Sequence, residues 1–266
     1  MLNIGSEQMG RMHRVAGEFF VDELLDHAKT GFPLALQFAG PDQLRKSLRL
    51  LMRYAEDHGF TTRGPVRLFA DLGLLFGTRV GDDPFHPWIG QITGERSVGT
   101  EAERGERLHQ ATLAYFAEVI TPEEDRMARA LQRLVQFEPT RAFASSGDLE
   151  ARMPEVLNLL YPAKLRRARP DAAVALAKLH AVLADSGPNQ SPALSGWLAC
   201  LKFYFGHHAE RDPLHPWIEA TLVESGGLEA GARLAVLRER TLAYTRALIG
   251  QLRDGKQKQE SHADAA

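Results

Sequence analysis

Hydrophobic residues recur at spacings of three and four along most of the chain, which is the period of an amphipathic α-helix. The first stripe predicts a helix over about 7–30, and the second predicts a helix that begins at Pro41 and ends at Gly59. The second stripe consists of Leu44, Leu48, Leu51 and Ala55. Segments 65–76 and 192–205 are apolar nearly all round, which predicts two buried central helices. We therefore predict an all-α fold.

Polar residues indicate where further helices begin and where the order ends. Thr100 and Glu103 have the spacing of a capping box and predict the start of a helix whose buried face includes Leu108, Thr112, Tyr115 and Val119. Thr121-Pro122 predicts a linker helix that runs to about Gln136. The segment after Arg253 is polar and lacks aromatic residues, which predicts a disordered tail.

The chain repeats itself at an offset of 129 residues. The heptapeptide Asp83-Pro84-Phe85-His86-Pro87-Trp88-Ile89 recurs as Asp212-Pro213-Leu214-His215-Pro216-Trp217-Ile218. An ungapped alignment of 61–120 with 190–249 contains 18 identities in 60 positions, whereas unrelated sequences of ordinary composition give roughly 4. We therefore predict a pseudo-symmetric tandem duplication of a unit of about five helices.

The repeat also predicts how the chain is divided. Residues 1–120 form the first unit, 121–252 form the linker helix and the second unit, and 253–266 form the disordered tail. Gly59 and Gly187 match at an offset of 128 rather than 129, so one residue has been gained or lost in an exposed loop of the unit.

Composition narrows the classes of function. The 266 residues are 44% hydrophobic, which is enough for a sizeable core, and the formal net charge is -2. The balance of charges argues against a nucleic-acid binder, because affinity for phosphate depends on clustered Lys and Arg without matching acids. The sequence has no apolar run of about 18 residues, so we predict no membrane contact. The single cysteine, Cys200, allows no internal disulfide and favours a cytoplasmic location.

The repeated Asp-Pro-x-His-Pro-Trp-Ile segment invites two interpretations. Its prolines, a capping aspartate and two large apolar side chains are typical of a structural corner between helices. Alternatively, exposed His86 and His215 segments present the same shape twice to a binding partner. The residues concerned are Asp83, His86, Trp88, Asp212, His215 and Trp217.

A second group of residues has the chemistry of a metal site. His207, His208, Asp212 and His215 fall within nine residues, and imidazole with carboxylate suits zinc or iron. The positions equivalent to His207 and His208 are Thr78 and Arg79, and the loop after Gly206 is expected to hold solvated histidines. We therefore predict no catalytic residue, no metal and no cofactor, and the basic run 164–169 is interpreted as a solvated helix end.

Several motifs resemble those of a known group of proteins. These motifs are Ile4-x-x-x-Gln8-Met9, the segment Tyr54-Ala55-Glu56-Asp57-His58-Gly59-Phe60-Thr61, Leu75-Phe76-Gly77, and Asp82-Asp83-Pro84-x-x-Pro87-Trp88. Together they resemble uncharacterised bacterial helical proteins that are encoded near type VI secretion spike and effector genes. The resemblance covers about 1–120 and, more faintly, 161–249. It implies a genetic neighbourhood rather than a reaction, and no catalytic residue is attributed to the group.

The leading hypothesis is a non-enzymatic cytoplasmic protein that binds another protein, as an adaptor or chaperone-like factor for a type VI secretion effector. It rests on the absence of a convergent polar motif and on the resemblance. One alternative is an immunity protein that neutralises a toxin. Another is a metal-dependent hydrolase that uses His207, His208, Asp212 and His215.

Overall fold

The computed structural model describes residues 6–94, 98–120, 125–144, 149–168 and 191–263. In these ranges the chain forms helices and no strand, which confirms the prediction of an all-α fold. The helices of the first part are α1 (Ser6–Gly31), α2 (Pro33–Ala39), α3 (Pro41–Asp57), α4 (Arg63–Phe76), α5 (Pro87–Gly94) and α6 (Glu101–Tyr115). The helices that follow are α7 (Arg126–Gln136), α8 (Pro139–Ala142), α9 (Leu149–Leu160), α10 (Pro162–Arg167), α11 (Pro192–Phe205), α12 (Pro216–Glu224) and α13 (Ala230–Ala263). Short 3-10 helices span Val80–Asp82 and Ala209–Arg211, and a π-helical turn, Phe116–Ile120, extends α6.

Local sequence signals account for most helix starts. A proline occupies the first turn of α2, α3, α10, α11 and α12, where its missing N–H leaves no hydrogen bond unmade. The predicted capping box is present at α6, because the Thr100 hydroxyl accepts from the Glu103 amide and the Glu103 carboxylate accepts from the Thr100 amide. The start of α6 was therefore predicted correctly from the four residues 100–103.

The predicted apolar stripes face the interior. Leu44, Leu48, Leu51 and Ala55 of α3 are completely buried, as the spacing requires. Each residue of α11 from Ala193 to Phe205 is buried, so this helix lies at the centre as predicted. One cluster of buried side chains extends from Phe20 to Ile249 and includes residues of both predicted units. The described residues of 1–120 and 125–252 therefore contribute to one core.

Three predictions about segments need correction or lie outside the described residues. The prediction of a disordered tail from residue 253 is wrong as far as Ala263, because α13 continues through it. Lys and Gln have a high helix propensity, so extending an existing helix through them has a low free-energy cost. Lys256 also forms an ion pair with Asp125 at 3.3 Å. The linker helix is described from Arg126, after Asp125 with a left-handed φ of 52°, and its predicted start at Thr121 lies outside the described residues. The predicted second copy of α3 lies in 169–190, outside the described residues.

None of the described helices is both long enough and apolar enough to cross a membrane.

Candidate functional site

The first heptapeptide forms a tight corner between the 3-10 helix Val80–Asp82 and α5. Asp83 Oδ1 accepts the amide N–H of Phe85 at 2.8 Å, and the Asp83 carbonyl accepts that of His86 at 3.0 Å. The His86 ring stacks on Phe76 with ring centroids 4.2 Å apart, and its Nε2 lies 3.2 Å from the Tyr115 hydroxyl. The corner is thereby fixed to α4 and α6.

The second heptapeptide forms the same corner before α12. Asp212 Oδ1 accepts the amide N–H of Leu214 at 2.9 Å, and the Asp212 carbonyl accepts that of His215 at 2.9 Å. The ring centroids of Phe205 and Tyr244 are 5.3 Å apart, which equals the distance between Phe76 and Tyr115. The aspartate capping bonds and the phenylalanine–tyrosine pair therefore match at the offset of 129, whereas His215 lies farther from Phe205, at 5.4 Å between ring centroids.

The other carboxylate oxygen of each aspartate reaches across to the opposite half. Asp212 Oδ2 accepts the amide N–H of Thr78 at 2.7 Å and the Thr78 hydroxyl at 3.1 Å. Asp83 Oδ2 accepts the amide N–H of His207 at 3.3 Å. Because position 78 corresponds to position 207, the two halves exchange equivalent hydrogen bonds. These crossed bonds join residues 134 and 124 positions apart in the sequence.

Two glycines allow the halves to approach this closely. Gly77 and Gly206 end α4 and α11 with φ values of 103° and 105°, which side-chain-bearing residues rarely adopt. A Cβ on Gly77 would lie 3.0 Å from the carbonyl oxygen of Phe205, and a Cβ on Gly206 would clash with the carbonyl oxygen of Phe76. The backbones of the two halves therefore touch at this pair of glycines.

Of the two interpretations of the heptapeptide, the one with His86 and His215 exposed for a partner does not fit the structure. Their exposed fractions are 0% and 7%, because each ring lies between a phenylalanine and a tyrosine of its own half. Asp83, Trp88 and Asp212 are buried as well, and Trp217 is half-buried. The six residues therefore hold the corners together and do not form a continuous outer surface.

The group His207, His208, Asp212 and His215 does not assemble as a metal site. Both oxygens of Asp212 are occupied by hydrogen bonds from Thr78 and Leu214. Among the described residues, no three His, Cys, Asp or Glu side chains stand where they could share a metal ion. His207 is buried beside Asp83 rather than solvated as expected, because the loop after Gly206 packs against the opposite corner.

Burial determines the charge states at the first corner. Burial and, to a lesser extent, the nearby Lys164 ammonium lower the pKa of His86 to about 4 against the opposing effect of Asp83, so the imidazole is neutral at pH 7. Burial alone would raise the pKa of Asp83, but His86, Lys164 and the Phe85 amide outweigh it and hold the pKa at about 2. The carboxylate is therefore ionised and able to accept its crossed hydrogen bond.

These shifts predict that acid destabilises the fold before the carboxylates titrate. Because the pKa of His86 is about 4 in the folded state and 6.5 ordinarily, the unfolded chain takes up the proton first. We expect this residue to remove about 3 kcal/mol as the pH falls from 6.5 to 4. As the pH falls from 3.8, the ordinary pKa of an aspartate, to about 2, its pKa in the fold, protonation of Asp83 removes further stability. Urea unfolding followed by circular dichroism at pH 7, 5.5 and 4.5 measures the slope.

Matched histidine substitutions test the source of that slope. We expect His86→Gln to flatten the dependence of the unfolding free energy on pH, while the buried His207 and His215, whose pKa values are also lowered, retain their part. His109→Gln, at an exposed position of α6, is the control and should leave the slope unchanged. An unaltered slope in His86→Gln would contradict the assignment.

A cavity of about 220 Å³ lies between the two halves, next to the corners. Its walls are mainly aromatic and aliphatic side chains. From the first half they include Phe32, Ala35, Leu75, Phe76, Tyr115 and Ile120. From the later half they include Tyr161, Lys164, Tyr204, Phe205, Tyr244 and Leu248. An apolar cavity with few polar groups is the usual form of a small-molecule site.

Among the described residues, one lysine lies in this wall, and its burial was not predicted from the sequence. Lys164 belongs to the run interpreted as a solvated helix end, yet only 2% of it is exposed. Its pKa is lowered to about 8 by burial, which the Asp83 carboxylate partly opposes. The repeat itself held a signal, since Lys164 stands 129 positions after Ala35 and both side chains line the cavity.

Two other buried side chains of α11 have no free reactive group. Cys200 is fully buried, and burial raises the pKa of its thiol, so the reactive thiolate is not formed. Lys202 is buried too, but its ammonium pairs with Glu210 and donates to the carbonyl of His207 at 3.2 Å. Both residues stabilise the interior of α11 and its following turn.

Comparisons of the chain with models of protein families, with curated proteins and with solved structures find no match.

Proposed function

We propose that this protein is a non-enzymatic binding protein, built by tandem duplication, that takes an apolar ligand into the cavity between its two units. The observation that carries the proposal is the cavity of about 220 Å³ lined by aromatic and aliphatic side chains of both units. An engineered cavity of roughly 150 Å³ with such walls binds benzene, so this space is large enough for a ligand.

The duplication is supported by geometry as well as by sequence. The capping bonds of Asp83 and Asp212, the two glycines with φ near 105°, and the crossed hydrogen bonds all recur at the offset of 129. A further pair is the hydroxyl of Thr112 on the Leu108 carbonyl and that of Thr241 on the Leu237 carbonyl, both at 2.7 Å. In this proposal the cavity is the interface that the duplication created.

The polar groups around the cavity support binding rather than catalysis. The hydroxyls of Tyr161 and Tyr204 donate to backbone carbonyls, at 2.9 Å to Val119 and 2.8 Å to Ala130. Burial raises the pKa values of both phenols, so neither supplies a phenolate. Groups already used to hold the walls are poor candidates for proton transfer to a ligand.

A neutral fluorescent probe tests the proposal. We expect 1-naphthol, a neutral probe close to the size that this volume admits, to bind one per chain with a Kd on the order of 0.1 mM, because a ligand of this size gains about 0.5 kcal/mol per heavy atom. Ala35→Trp places an indole in the cavity and should raise the Kd of the probe at least tenfold. Fluorescence titration of the full chain measures both values.

The control places the same side chain elsewhere. Ala114 is exposed on α6 and does not line the cavity, so Ala114→Trp should leave the affinity unchanged. Equal affinities for the Ala35→Trp and unaltered proteins, with both folded by circular dichroism, would place the probe outside the cavity and refute the proposal.

An adaptor role for a secreted effector stays a prediction. The observation that favours it is an apolar pair on α1, where Val15 and Phe19 lie one turn apart with exposed fractions of 56% and 64%. A partner helix is the kind of ligand that such a face suits. Co-purification with Val15→Ser/Phe19→Ser as the control separates this role from binding in the cavity.

A further inference from the structure

The wall of the central cavity contains a buried cation. The Lys164 side chain is 2% exposed, and among the described residues its ammonium makes no hydrogen bond and no ion pair within 4 Å. The described groups that interact with the ammonium are the Phe203 ring, whose centroid lies 5.3 Å away, and the more distant Asp83 and His86. Burying a cation with so little compensation is costly, so the position calls for an anionic partner.

Asp83 does not fill that role. Its two oxygens accept the amide N–H groups of Phe85 and His207, and its Oδ2 lies 3.3 Å from Nδ1 of His86. These contacts hold the carboxylate in the corner and out of ion-pair distance of Lys164. The cavity therefore retains a cation whose charge is only partly balanced.

The cation is present in only one of the two duplicated units. The corresponding position in the first unit is Ala35, which lines the same cavity. A ligand in the cavity accordingly meets one charged point and otherwise mainly apolar walls, including Phe76, Phe205 and Tyr244. The matching chemistry is an apolar body with a single anionic end.

We propose that the ligand is a free medium-chain carboxylic acid whose carboxylate pairs with the Lys164 ammonium while its hydrocarbon chain packs against the aromatic walls. The inference rests on the proposed function, because it names the ligand class of the same cavity. Scaling from the six carbons of benzene in roughly 150 Å³ gives a chain of roughly nine carbons for this volume. An ester lacks the anion, so esterified lipids are excluded as equal ligands.

Calorimetric titration of the full chain at pH 7 with nonanoic acid, nonan-1-ol and methyl nonanoate tests the inference. We expect the acid to bind about tenfold more tightly than the alcohol or the ester, because a hydrogen bond to a charged group is stronger than a neutral one. An acid-to-alcohol preference below twofold overturns the inference whatever the variants show. If none of the three compounds binds, the proposed function fails with it, whereas equal binding of all three leaves the proposed function standing.

The role of Lys164 is tested by a variant that keeps its shape. Lys164→Met retains an unbranched side chain without charge, so the alcohol should bind as before and the preference for the acid should disappear. Lys256→Met, which removes a lysine outside the cavity, is the matched control and should keep the preference. A preference retained by Lys164→Met would place the anion elsewhere and overturn the assignment.

Discussion

Gly206→Ala should be the most destabilising small substitution at the junction of the two halves, with an expected loss of about 4 kcal/mol. Alanine is strained at φ 105°, and its Cβ would clash with the carbonyl oxygen of Phe76, which belongs to a backbone that cannot rotate away. Gly77→Ala should cost less, because its nearest neighbours lie at 3.0 Å. Urea unfolding followed by circular dichroism at 222 nm measures both losses.

The control for these variants is Gly250→Ala in α13. A Cβ on Gly250 meets nothing within 4 Å, and alanine is the better helix former, so we expect a gain of up to about 1 kcal/mol. If Gly206→Ala unfolded at the same urea concentration as the unaltered protein, the close approach of the two backbones would be incorrect.

Asp212→Ala should remove about 4 kcal/mol of stability by a different route. The substitution leaves the amide N–H groups of Thr78 and Leu214, and the Thr78 hydroxyl, without their acceptor in the interior. Each unsatisfied buried donor costs about 1–3 kcal/mol. The same urea experiment measures the loss, and native mass spectrometry checks that the oligomeric state is unchanged.

Two further variants give this prediction its scale. Asp212→Asn keeps one acceptor oxygen and should lose about half as much. Asp57→Ala, at an exposed position of α3, should stay within about 0.5 kcal/mol of the unaltered protein. A loss below about 1 kcal/mol for Asp212→Ala would mean that water replaces the carboxylate and that the crossed bonds contribute little.

The sequence predicted those features that depend on near neighbours. The α3 stripe from Leu44 to Ala55 is buried because a helical spacing of three and four puts its members on one face. The start of α6 follows from two side chains three positions apart. Such features need no knowledge of what lies across the fold, and the same holds for the start of α3 at Pro41.

The features that the sequence did not predict depend on distant neighbours. The sequence left open whether His86 and His215 are exposed, and the structure excludes it because α6 and α13 cover them with Tyr115 and Tyr244. Lys164 sits in a basic run whose charge suggests solvent, and only the packing of α10 beside the cavity buries it. A local sequence pattern does not predict burial that results from such long-range contacts.

The crossed aspartate bonds also affect the order in which the chain acquires its structure. They join residues 134 and 124 positions apart, so the loop that must close before they form is nearly half the chain. Contacts of such long separation form slowly and late. During synthesis, the amide of Thr78 therefore has no carboxylate acceptor until residue 212 has emerged, so this junction is completed only when both halves of the chain are present.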